Sequence, residues 1–189
     1  MLSPIQSMMS AYSPLSEACQ SDLEKIVEVK AYPKNEILVK EGELSNRLFF
    51  ILEGSMRAYY NKDGRIVTDW FAFENDFICA IVSFFMHVPS PHFIEILEPC
   101  KLVEIKRDDV ELLCDKHHDF DRLARLSVTK TMLQLQQRVV SLQFENAQQR
   151  LENLLSVFPT IMERVPLGDI ASFIGMTQET LSRLRAART

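Results

Sequence analysis

The chain of 189 residues has no apolar stretch long enough to cross a membrane. The longest, residues 77–86, is ten residues interrupted by Ser83, about half of a span. The opening residues show no cationic segment followed by an apolar one, so no secretory leader is expected. Cysteine is sparse, with four residues at 19, 79, 100 and 114 and no C-x-x-C pair. That argues against a disulfide scaffold, a zinc site or a cysteine-ligated iron–sulfur cluster, and it fits a reducing cytosol. Histidine is equally sparse. His87 and His92 lack an H-x-H partner, and His117 and His118 are neighbours at the start of a helical stretch. Adjacent helical residues diverge by about 100°, so 117 and 118 make a poor chelate. No metal ligands and no cofactor are predicted, and nothing specific points to haem. No P-loop and no nucleophile–base arrangement appears, so no catalytic residue is assigned and the chain reads as a non-enzyme.

A composition of 47% hydrophobic and 25% charged residues supports a packed core and rules out global disorder. The length suits one domain or two small ones. The net charge of −5 is unevenly placed. Residues 164–189 carry four arginines against Asp169 and Glu179, a net of +2, which leaves −7 for residues 1–163. An acidic body with a basic end is compatible with a sensor joined to a nucleic-acid-binding unit.

Residues 4–27 read as one or two short helices, with Ser21 and Glu24 spaced as a capping box. Short β-rich segments follow at 36–40, 47–52, 55–60, 65–71, 92–97 and 101–105. Glycines at 42, 54 and 64 mark turns between them, a spacing that suits a sandwich, roll or barrel. From Asp108 the pattern is helical, and residues 117–144 contain neither Gly nor Pro. Val128, Met132, Leu135, Val139 and Leu142 step by 4, 3, 4 and 3, a coiled-coil seam. Leu126, Leu133 and Val140 form a second stripe at sevens. Two stripes need two partners. The first is read as facing the same helix of a second subunit, the second as facing the chain's own domains. Burial of both in a monomer core is the alternative. A further helix is expected at 148–158.

The segment PLGDIASFIGMTQETLSRLRAART, from Pro166, reads as helix, tight turn, helix. Pro166 suits a helix first turn, small Ala171 permits close approach, and Gly175 supplies the turn. Thr177 is a good N-cap. Ile170, Ile174, Met176, Leu181 and Leu184 are the apolar positions. These residues match the DNA-binding helix-turn-helix pattern in register. Gln178, Glu179, Ser182 and Arg183 are left exposed as base-reading candidates. Glu179 and Arg183 are one turn apart; Arg suits guanine and Glu suits cytosine in the major groove. Thr177, Thr180, Arg185 and Arg188 are candidates for phosphate contacts, which position without specifying sequence.

Taken together, the chain resembles the Crp/Fnr family of bacterial transcription regulators, most specifically at TQETLSR, residues 177–183. The resemblance implies an α+β chain with three parts. They are an N-terminal β-roll (double-stranded jelly roll) of the cyclic-nucleotide-binding type as sensor over 1–118, a dimerisation helix over 119–144, and a winged-helix-like helix-turn-helix domain over 145–189. It implies base reading by Glu179 and Arg183, a TTGA-like half-site, duplex DNA and a second copy of the chain as partners, RNA polymerase contact, and a cytoplasmic location without membrane association. Gln178 departs from the family's better-known members.

The effector segment also departs from the pattern. Relatives that bind cyclic nucleotides use Gly-Glu and an Arg in a short cassette. Here residues 66–100 contain no Lys, Arg or Gly and carry five carboxylates, Asp69, Glu74, Asp76, Glu95 and Glu98. Asn75-Asp76 stands where Gly-Glu is expected, and Pro91-His92 near the Arg position. A cyclic phosphate would meet carboxylates without a cation, so no cyclic nucleotide is expected and the effector is left unidentified. Phe71, Phe73, Phe77, Phe84 and His92 are candidates for an apolar effector pocket; a filled roll core is the competing reading. His92, a lone histidine beside a proline, reads as a surface residue. The alternative function is a small-molecule-binding or metal-dependent cupin-like β-barrel protein without DNA binding.

Overall fold

The computed structural model describes residues 2–187. Two short helices, α1 (Pro4–Ala11) and α2 (Glu17–Ile26), precede the strands. The cap of α2 is Ser16, whose side chain accepts from the Cys19 N–H, so Ser21 lies inside the helix rather than at its start. The reciprocal capping box belongs instead to α1, through Ser3 and Gln6.

The strands are β1 (Glu28–Tyr32), β2 (Ile37–Val39), β3 (Arg47–Glu53), β4 (Met56–Lys62), β5 (Arg65–Ala72), β6 (Phe77–Cys79), β7 (Phe93–Ile96) and β8 (Cys100–Lys106). They form two antiparallel sheets, in the orders β1-β8-β3-β6 and β2-β7-β4-β5. This is the expected roll. A short helix, α3 (Ile81–Met86), interrupts the apolar middle between β6 and β7.

Strand alternation explains how the roll serves two cores. On β3, Phe49 and Phe50 are both fully buried, but on opposite faces. Phe49 joins Val39, Met56, Ile94, Ile96 and Leu102 in the roll interior. Phe50 joins Met8, Leu23, Phe120 and Leu123, which hold α1, α2 and the base of the long helix against the outside of the sheet. Burial of each such side chain stabilises the fold by about 1.5–3 kcal/mol. Gly54 is required where β3 turns into β4. Its φ is +101°, and a Cβ there would lie 2.5 Å from Cys100 Sγ and 2.7 Å from the Pro99 carbonyl.

After the roll come α4 (Arg107–Lys116), α5 (His118–Phe144), α6 (Ala147–Val157), α7 (Ile161–Arg164), α8 (Leu167–Phe173) and α9 (Gln178–Ala186). The expected C-terminal helices are present, but among the described residues no strand follows β8, so they carry no wing. No helix among them is long and apolar enough to cross a membrane.

The long helix α5 buries only Phe120 and Leu123. Val128, Met132, Val139 and Leu142 are exposed and Leu135 is half-buried. The second stripe corrects the sequence reading. Leu126 is half-buried, but Leu133 and Val140 are exposed rather than packed on the chain's own domains. Burial of both stripes in a monomer core does not occur either. Own-domain contacts along this stretch include ion pairs, Lys130 to Asp76 and Arg138 to Asp69.

Candidate nucleic-acid interface

Helix α8, the turn at 174–176 and helix α9 are held by a small apolar core of Ile170, Ala171, Ile174 and Leu181, all buried. Gly175 sits at φ +67°, and a Cβ there would press against Leu142 of α5 at 3.0 Å. The turn is thereby seated on the end of the long helix. Arg150 adds hydrogen bonds to the Glu145 carbonyl at 3.2 Å and the Gly175 carbonyl at 3.4 Å. The Met176 N–H donates to the Ala171 carbonyl at 3.0 Å and closes the turn. Pro166 is the cap residue of α8 rather than its first-turn residue.

Thr177 caps α9, its side-chain oxygen accepting from the Thr180 N–H at 3.2 Å. Gln178, Glu179, Ser182, Arg183 and Arg185 are exposed, and Thr180 is half-buried. Glu179 and Arg183, among the described residues, make no ion pair with each other. The two side chains therefore present separate acceptor and donor groups on one face. The phosphate candidate Arg188 lies outside the described residues.

The helix-turn-helix packs on the outer face of the roll. Phe71, Phe73 and Leu97 share a core with Leu151, Leu154, Ile161, Val165 and the buried residues of α8 and α9. Phe71 meets Phe173 at 5.0 Å between ring centroids, and Phe73 meets Phe158 at 4.9 Å. The Thr68 N–H donates to Ser172 Oγ at 3.1 Å.

The acidic segment 66–100 finds its cations here, which the sequence did not reveal. Asp69 pairs with Arg138, Asp76 with Lys130, and Glu95 with Arg57. Glu74 and Glu98 both take Arg164, and Arg57 also reaches Asp169 of α8. Asp69, Asp76, Glu74 and Glu98 hold α5 and the C-terminal helices against the roll, and Glu95 pairs within the roll on Arg57.

Arg164 is the centre of the largest of these groups, with Nη1 2.9 Å from Glu74 Oε2 and Nε 2.9 Å from Glu98 Oε1. Burial opposes ionisation of Glu74, but hydrogen bonds from Arg164 and the Gly54 N–H win and hold its carboxyl below the ordinary value. Arg164→Ala is expected to cost about 1–2 kcal/mol, after discounting for solvent at Glu74, which is 37% exposed. A folded-state pKa lowered from 4.5 gives stability that is complete above that pH and lost below it. The difference between wild type and variant in urea unfolding should therefore be full at neutral pH and shrink as pH falls below about 4.5.

The predicted effector residues do not gather. Phe71 and Phe73 face the C-terminal helices, Phe77 packs with Tyr12 and Phe50 near the N-terminal helices, and Phe84 stacks edge-on with Phe85. His92 is not a surface residue as expected. It is 4% exposed, beside Tyr60, and neither ring nitrogen has a hydrogen-bond partner among the described residues. The reason is a clamp: Ser90 exchanges backbone hydrogen bonds with the 42–43 turn and tucks the segment inward. Burial lowers the His92 pKa and keeps the ring neutral. A cleft of about 590 Å³ lies elsewhere, between α5, α6, α8 and β5; of the five residues only Phe71 lines it.

The comparisons with known proteins agree with this arrangement. Residues 29–117 match the family model of the cyclic nucleotide-binding domain. The Anaerobic regulatory protein of Pasteurella multocida is 26% identical over 188 residues, spanning 90% of this chain. The chain spans about two thirds, 66%, of the length of that relative. FixK2 from Bradyrhizobium japonicum superposes with a TM-score of 0.73 at 18% identity, covering 86% of this chain and 84% of that one. A Crp/Fnr family protein from Eubacterium rectale superposes at 0.70 and 16% identity, covering 90% and 82%. Residues 29–117 thus resemble a cyclic nucleotide-binding domain, and the chain as a whole shares the fold of these regulators. The cupin-like reading has no counterpart in these likenesses.

Proposed function

We propose that this chain is a sequence-specific DNA-binding transcription regulator that acts as a homodimer in the cytoplasm. Residues 1–118 serve as sensor, 119–144 as dimerisation helix and 145–189 as DNA-binding domain. The observation that carries the reading is the exposed face of α9. An apolar core holds the helix from behind, a threonine caps it, and Gln178, Glu179, Ser182 and Arg183 project from its first turns. Those groups match the donors and acceptors of base edges in the major groove. Thr177, Thr180, Arg185 and Arg188 supply phosphate contacts in this reading, and RNA polymerase is the further partner.

Binding to random-sequence duplex at low salt tests the reading. Affinity that falls steeply with added salt is expected of a protein neutralising phosphates. Absence of any binding contradicts it and favours a protein-interaction role for the terminal helices.

The sensor does not respond to cyclic nucleotides in this proposal. The cations nearest the acidic segment are already committed, Arg57 to Glu95 and Asp169, Arg138 to Asp69, and Arg164 to Glu74 and Glu98. A cyclic phosphate would have to break one of these pairs and leave a carboxylate unpaired. Calorimetric titration with cyclic AMP or cyclic GMP should show no binding in the micromolar range; micromolar affinity for either contradicts the proposal.

A further inference from the structure

Folding brings together ligand types that the sequence keeps nearly a hundred residues apart. Cys19 lies in the first turn of α2, His117 at the junction of α4 and α5, and Asp119 in the first turn of α5. The Cys19 thiol, a ring nitrogen of His117 and a carboxylate oxygen of Asp119 lie within 4.8 Å of one another. We propose that these three residues form a binding site for a zinc-class divalent cation.

The donor set fits that class. Thiolate, imidazole and carboxylate are the side chains that ligate zinc, at about 2.3 Å for sulfur and about 2.0 Å for nitrogen and oxygen. A tetrahedral site with those bond lengths needs donors about 3.3–3.6 Å apart, so side-chain adjustments of about 1 Å close it. Thiolate and carboxylate together balance the charge of the ion. Cys19 is fully buried, and its sulfur faces the cluster rather than solvent.

The surroundings are those of a ligating histidine. Nε2 of His117 is 3.0 Å from Asp22 Oδ2, one turn along α2 from Cys19. A carboxylate on one ring nitrogen fixes the tautomer and leaves Nδ1 to ligate. Asp22 also takes Lys25 at 2.8 Å and Lys116 at 2.5 Å, which makes it an orienting partner rather than a ligand. Asp119 is fixed by hydrogen bonds from the backbone N–H groups of Ser16 and Phe120, and its oxygens keep further lone pairs. On binding, the S–H bond breaks, the S–metal bond forms and the proton leaves to solvent. The ion would tie α2 to the root of α5, the helix whose outer end carries the helix-turn-helix.

The site does not depend on the DNA-binding reading. Its test uses the full chain, stripped with chelator under reducing conditions and titrated with Co²⁺ and then Zn²⁺. One Co²⁺ per chain should bind and give sulfur-to-cobalt charge-transfer absorption, which Zn²⁺ abolishes by displacement. Cys19→Ser should remove the band, and Cys114→Ser, the nearest other thiol, should keep it. His117→Gln and Asp119→Asn should each weaken Zn²⁺ binding at least tenfold, and Asp22→Asn by about 10–100-fold. Circular dichroism checks that the variants fold; if Cys19→Ser does not, His117→Gln, at a position only partly buried, decides. A wild-type chain without the band, a band that survives in folded Cys19→Ser, or undiminished affinity in His117→Gln overturns the proposal.

Discussion

Arg183→Ala is expected to cost about 1–3 kcal/mol of binding free energy per half-site and to abolish preference at one guanine. Arg183 is exposed on α9, one turn beyond Glu179, in a helix positioned by buried Leu181 and capped by Thr177. Its guanidinium can donate twice to guanine O6 and N7, and no other purine or pyrimidine edge accepts in that pattern. The loss should therefore be confined to that base. Arg185→Ala provides the contrast, since a phosphate contact should weaken all sequences alike and flatten the salt dependence. Competition binding against single-base variants of a bound site separates the two. If Arg183→Ala leaves the rank order of the variants unchanged, Arg183 does not read a base.

The second large effect concerns assembly. Met132→Glu combined with Val139→Glu should convert a dimer into a folded monomer. Both side chains are exposed in the single chain, at 59% and 52%, so neither substitution disturbs the chain's own core. In a paired α5 they would place carboxylates in an apolar seam, and an unpaired buried charge costs about 3–5 kcal/mol. That lowers association at least about a hundredfold. Sedimentation should show a dimer for wild type at micromolar concentration and a monomer with unchanged circular dichroism for the variant. A wild-type monomer at that concentration sinks the assignment. The exposure of Leu133 and Val140 widens the apolar surface that the partner must cover.

The helix-turn-helix was legible because its determinants are local. A small residue, a turn glycine, a capping threonine and apolar positions at fixed offsets specify it within one short segment. The roll was legible for a similar reason, through turn glycines and short β-rich runs. What the sequence concealed depends on distant partners. Strand β1 is almost wholly exposed along its length and carries no inward alternation to announce it. The five carboxylates of 66–100 read as a surface hostile to phosphate, whereas each is paired with a cation supplied by β4, α5 or Arg164. His92 read as exposed because the backbone clamp that buries it joins segments some fifty residues apart. Cys19 and His117 offered no ligand spacing in sequence because helix packing, not a local motif, brings them together.

Selection of bound duplexes from a random pool tests the central claim most directly, because it reads function, half-site and symmetry at once. Two copies of α9 related by a two-fold axis should enter successive major grooves about 34 Å, or roughly 10 base pairs, apart. The account predicts enrichment of an inverted repeat with that spacing, carrying in each half-site a guanine for Arg183 and a cytosine for Glu179, in a TTGA-like sequence. A pool that shows no enrichment, or that converges on a single unrepeated site, contradicts it.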